Sequence, residues 1–144
     1  MQEMFFQSSG RLNRLRYFKR SFALGVVEGI LCIAVFIVFG DEWGMLTKTG
    51  ETITMVISIA FLVPYYFLMV RRLHDIDKDE KLAYFCAAIS LIYMHIANTD
   101  SDFDLYNLSS QYIIILLIDC CVNLYILFAP GTRGDNQYGP DPLA

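Results

Sequence analysis

The densest group of chemistry-bearing side chains is Arg71-Arg72-Leu73-His74-Asp75. Histidine titrates near neutrality, a carboxylate beside it is a ready acceptor, and arginine forks match phosphate or carboxylate oxygens. Acid–base work on a lipid or phosphate would also need a nucleophile or a metal, and neither accompanies the pair. Anion or headgroup binding needs only the cations, and a helix-end ion-pair cluster needs no ligand at all. Arg71 and Asp75 stand four apart and pair if the helix runs on. A second group, Arg11, Arg14 and Tyr17, follows Ser8-Ser9-Gly10, which can cap a helix. Arg11, Arg14 and Phe18 share one helical face, so a short interfacial helix would turn its cations toward phosphates. A plain positively charged anchor is the alternative. The third group, Asn136 and Tyr138, lies in a tail with three glycines and three prolines between Pro130 and Pro142. Such a tail is not helical, and its turn residues let it fold back.

Other polar residues interrupt apolar stretches: Glu28, Asp119, Asn123 and His95. Ionisable groups inside a membrane are functional candidates by default. Glu28 lies about 10 Å along its helix from Ser21, and Asp119 about 14 Å from Phe128, so one layer can hold both. Asn123 is one turn from Asp119 on the same face. Two acids at one depth suggest a proton or cation path in a small channel or transport subunit. The alternative bonds each to a neighbouring helix through Ser58 or Ser90. Ser21, Gly25 and Gly29 form a small-xxx-small surface for close helix approach. His95, near the outer end, can reach headgroups or water. Cys32, Cys86, Cys120 and Cys121 show neither a C-x-x-C pair nor histidines at metal spacing, and read as small hydrophobes. No metal and no cofactor is expected.

The elements that must position these groups are apolar. Of 144 residues 56% are hydrophobic and 18% charged, with a mean hydropathy of +0.44. That composition excludes a disordered tail, a collagen-like fibre and an electrostatic nucleic-acid binder. Four apolar blocks cover about 21–40, 52–70, 82–97 and 112–128. A helix crossing the ~30 Å hydrocarbon core needs about 20 apolar residues; the third block is the shortest. Leu31–Phe39 and Ile53–Val63 are apolar or small on every face, unlike the striped helices of a soluble bundle. The sequence therefore predicts an all-α integral membrane protein, a single membrane domain over 1–144 with four transmembrane helices. Residues 1–20 form a cytoplasmic interfacial segment and 129–144 a cytoplasmic tail.

Charge sets the orientation. Ten of the eleven Lys and Arg residues fall before the first block, between the second and third, or in the tail. Lys48 alone lies elsewhere. Short loops rich in Lys and Arg stay inside, so both termini are expected in the cytoplasm. The outer loops are acidic, with Asp41, Glu42 and Glu51 in one and Asp100, Asp102 and Asp104 in the other. The net charge of −4 averages these two rims. No cleavable secretory signal is read at the first block. The expected partners are the bilayer, with anionic headgroups at the basic rim, and a homo-oligomer or a membrane-protein partner.

Three segments in register carry a family resemblance: Gly10-Arg11-x-x-Arg14-x-x-Tyr17, Arg71-Arg72-Leu73-His74-Asp75, and Pro130-Gly131-Thr132-x-Gly134-x-Asn136-x-Tyr138-Gly139-Pro140-Asp141-Pro142. The chain resembles the domain of unknown function 805 family, small proteins of the bacterial inner membrane. The resemblance implies that location and this architecture, and no established activity. It departs after Asp75: the family commonly has a Gly- and Ser-containing stretch ending in tryptophan, where this chain has Ile76-Asp77-Lys78-Asp79-Glu80-Lys81. All three segments fall on the face assigned to the cytoplasm. Arg11, Arg14, Tyr17, Arg71, Arg72, His74, Asp75, Asn136 and Tyr138 are thus expected in one cluster, as an anion site or as a structural clamp.

Overall fold

The computed structural model describes residues 5–41, 46–99 and 110–143, and the side chains of 93–99 and 110–112 lie outside that description. The expectations for Glu42, His95, Asp100, Asp102 and Asp104 therefore fall outside the described residues. The architecture is all-helical: α1 Arg14–Phe39, α2 Lys48–Asp75, α3 Lys81–Thr99 and α4 Ser110–Phe128. Helices α1 and α2 have 26 and 28 residues, long and apolar enough to cross a membrane. Helices α3 and α4 have 19 residues each, with apolar described stretches over Lys81–Ile92 and Ile113–Phe128.

One boundary corrects the sequence reading. Asn13 caps α1, its side chain accepting from the Arg16 N–H at 2.9 Å, and residues 8–13 are not helical. The run Arg14–Arg20 is therefore the first turns of α1 rather than a separate interfacial helix. Arg11 precedes the helix and is buried, whereas Arg14 and Phe18 are exposed, so the three do not share a face. A side-chain cap of this kind contributes about 1 kcal/mol and fixes where the helix starts.

At its other end α2 closes on Ile76, with the Lys78 N–H returning to Leu73 O at 2.9 Å and Asp77 at a left-handed φ of 56°. The departing stretch then primes α3: Asp79 accepts from the Lys81 N–H at 3.2 Å and pairs with the Lys81 ammonium at 2.6 Å. Helix α1 packs chiefly on α2, and α2 on α3, while α4 touches all three. Within the small-xxx-small stripe, Ser21 and Gly25 meet α2, where the Tyr65 hydroxyl donates to Ser21 O at 3.2 Å. Gly29 faces open space.

Burial is concentrated at one end. Leu12, Tyr17, Leu68, Val70, Leu73, Ile76, Ala83 and Ile126 form the buried cluster, all near the C-terminal end of α2. Farther along, α1 exposes Ile30, Ile33 and Ile37, and α4 exposes Ile114, Leu116 and Leu117.

Candidate functional site

The buried end of the bundle is also its polar centre. Arg72 has no exposed surface and Asp75 retains 2%. They sit on the last turn of α2, where cations also complement the helix dipole. Arg72 Nη1 donates to Asp75 Oδ2 at 2.5 Å, its Nε to Ile126 O at 2.9 Å, and its Nη2 to Ala129 O. One side chain thereby ties α2 to the end of α4. Asp75 takes its second cation from Arg11, whose Nη2 lies 3.2 Å from Oδ1. The i,i+4 pairing expected of Arg71 is made instead by Arg72 at i,i+3. The charge of Arg71 lies near that of Arg20, and its backbone carbonyl accepts from Leu12 N–H at 3.0 Å.

The tail folds over this pair. Arg11 Nη1 donates to Gly134 O at 2.6 Å and Nη2 to Thr132 O at 2.5 Å. Thr132 donates through N and Oγ1 to Asp75 O, at 2.8 and 3.1 Å. Asn136 Nδ2 donates to His74 O at 2.9 Å and to Thr132 Oγ1 at 3.0 Å, while its Oδ1 accepts from Tyr138 N–H. The Tyr138 ring stacks on His74 with centroids 3.9 Å apart and planes 5° from parallel. His74 Nδ1 faces Gly10 O at 3.3 Å, so that nitrogen carries the hydrogen, since a carbonyl only accepts. His74 and Asp75 thus turn to different partners, which leaves no proton-sharing pair between them.

Six residues named from the sequence are brought together: Arg11, Arg72, His74, Asp75, Asn136 and Tyr138. Tyr17 is buried in the apolar cluster beneath them. Arg14 is exposed at the edge. Sequence reasoning missed two positions. Thr132 bonds to Arg11, Asp75 and Asn136, and Gly131 passes so close to Asp75 that an added Cβ would stand 3.0 Å from its Cγ. The Pro-Gly-Thr triplet was the available signal.

The clamp decides which cations remain for a ligand. Arg11 is engaged through all three nitrogens, and so is Arg72. Beside them lies a cavity of about 250 Å³, lined by Arg14, Arg72, Asp75, Thr132, Arg133 and Asp141 among others. Asp141 is committed to backbone: Leu143 N–H and Gly134 N–H donate to it at 2.9 Å each and hold its carboxyl below the usual carboxylate range. Arg14 and Arg133 are exposed and have no ion pair among the described residues.

The two acids expected to share a layer do not share a cavity. Asp119 and Asn123 line one between the helices, and Glu28 is not among its lining residues. Asn123 Nδ2 donates to Asp119 Oδ2 at 3.1 Å, while Ser90 Oγ donates to its own helix at Cys86 O. Neither acid is held by Ser90 across helices. Among the described residues no group of three His, Cys, Asp or Glu could hold a metal.

Comparison with known proteins adds one finding. The family described as Protein of unknown function (DUF805) matches residues 5–140, which is nearly the whole chain, and the chain belongs to it. No curated protein and no solved structure matches.

Proposed function

We propose that this DUF805 member is a multi-pass protein of the bacterial inner membrane, with four spans, both termini cytoplasmic, and a basic cytoplasmic end that holds anionic lipid headgroups. Arg11, Arg72 and Asp75 act there as a clamp that closes the end of the bundle. Headgroup phosphates engage the cations that the clamp leaves outward. The observation that carries this reading is the pair Arg14 and Arg133, exposed beside the 250 Å³ cavity, while both acids lining it are already engaged. A phosphate between two guanidiniums gains charge-assisted, bidentate hydrogen bonds. The apolar residues exposed along α1 and α4 support the spans, since water leaves such surfaces unfavourable and lipid does not.

The test is lipid retention by native mass spectrometry on the detergent-released full chain. Phosphatidylglycerol should bind in preference to phosphatidylethanolamine, and Arg14→Gln/Arg133→Gln should remove that preference without changing thermal stability. Undiminished preference in the double variant rejects the assignment. Competition by an acidic peptide, with no lipid preference, would make the site one for a protein segment.

A further inference from the structure

Beneath the clamp the helices form a second, partly open cavity, about 300 Å³ in volume, at the lower edge of the roughly 300–1,000 Å³ range of small-molecule sites. Its lining includes Tyr17 from α1, Tyr65 and Tyr66 from α2, Ser90 from α3, and Asp119 and Asn123 from α4. The remaining walls are mostly aliphatic, Leu62 and Met69 among them. That composition, an apolar and aromatic chamber with a few polar groups, is the usual chemistry of a ligand pocket. Asp119 is the one carboxylate lining it, and no Lys or Arg lines it.

The carboxylate is half satisfied. Asn123 holds it from one side, donating to Asp119 Oδ2 at 3.1 Å and to its backbone carbonyl at 2.9 Å. Oδ1 is buried and has no hydrogen-bond partner among the described residues. Two neighbouring hydroxyls are directed elsewhere, Ser90 to Cys86 O and Tyr65 to Ser21 O. A buried carboxylate oxygen without a donor costs free energy, and a cation bearing N–H groups removes that cost. Tyrosine ring faces add cation–π attraction for the same charge. A bare metal cation calls for several oxygen ligands in a tight shell. One carboxylate in a chamber with aliphatic walls suits an organic cation better.

We infer that this cavity binds a small organic cation, an ammonium on an apolar body, with its N–H donating to Asp119 Oδ1 and its body against the tyrosines and Met69. The site is independent of the headgroup site at the clamp. The ammonium belongs either to a free amine or to an ethanolamine headgroup entering from the inner leaflet.

The experiment is calorimetric titration of benzylamine into the full chain in phosphatidylglycerol nanodiscs, with empty nanodiscs subtracted and benzyl alcohol as the neutral counterpart. Saturable benzylamine binding is expected, weakened at least tenfold by Asp119→Asn, with benzyl alcohol indifferent to the substitution. Equal benzylamine affinity in the two proteins overturns the site, as does an absence of saturable binding. If Asp119→Asn is not recovered folded, Ala87→Leu, which fills the chamber and keeps the carboxylate, takes its place. Its undiminished affinity also overturns the proposal. Competition by added phosphatidylethanolamine assigns the ammonium to lipid, and indifference to it assigns a free amine; both outcomes sustain the cation site.

Discussion

At the residue scale the clamp depends as much on a missing side chain as on charged ones. Gly131 brings the tail backbone against Asp75, whose carboxylate is pinned by two guanidiniums and cannot retreat. Gly131→Ala would place a methyl 3.0 Å from Asp75 Cγ, inside van der Waals contact. The strain should cost about 1–3 kcal/mol, the usual range for overpacking. A lowered thermal midpoint together with earlier proteolysis after Ala129 is the expected result. Gly29→Ala is the control: that glycine is helical with nothing within 4 Å, so it should lose little or nothing. Equal effects of the two substitutions would remove the special role given to Gly131. Arg11 and Arg14 make the complementary point. Both are arginines three apart, yet Asn13 caps the helix between them, sending one guanidinium into the tail and leaving the other at the surface.

At the scale of elements, the tail is a turn-built lid rather than a secondary-structure element. Its inner half is tied to Asp75, Arg11 and His74, while its outer half is closed by Asp141, which accepts from Gly134 N–H and Leu143 N–H. Because those hydrogen bonds favour the carboxylate, Asp141 has a lower pKa in the folded tail than in an unfolded one. Its stabilisation is complete above the ordinary aspartate pKa of about 3.9 and is lost as pH falls through the lower folded value. Hydrogen exchange of the Gly134 and Leu143 amides, corrected for intrinsic rate, should therefore show protection falling in acid below about pH 4. Asp141→Asn should reduce that protection already at pH 6 and flatten its pH dependence. The helices themselves were legible in sequence, because apolar runs of helix length survive with only a few polar interruptions such as Glu28 and Asp119. The clamp was legible only in part. Its cations, Asp75 and Asn136 stand out by type, but their main partners are the carbonyls of Ile126, Ala129, Thr132 and Gly134, and a carbonyl has no sequence signature. For the same reason the sequence left an anion site and a clamp as equal readings of one set of arginines.

At the scale of the whole molecule, burial and polarity run opposite to the pattern of a water-soluble bundle. The described polar side chains with the least exposure, Arg72 and Asp75, sit at one end, while Ile30 in the second half of α1 is 60% exposed and Ile37 near its far end 76%. Hydrophobic surface on that scale favours an apolar surrounding, and in the proposed membrane arrangement the clamp lies where hydrocarbon gives way to headgroups. The proposed orientation follows from charge: the clamp end carries Arg14, Arg16, Lys19, Lys78 and Arg133, whereas Lys48 stands at the other end. Single cysteines on a background with the four native ones replaced, treated with a membrane-impermeant maleimide, read this directly. Lys78→Cys and Gln137→Cys should label in inverted inner-membrane vesicles and stay protected in intact spheroplasts. Lys48→Cys should do the reverse. Labelling of all three from one side would place both ends of α2 in the same compartment, and the four-span arrangement would then fail. Labelling of Gln137→Cys and Lys78→Cys from outside alone would keep the spans and invert them, against the retention of Lys- and Arg-rich loops on the inner side.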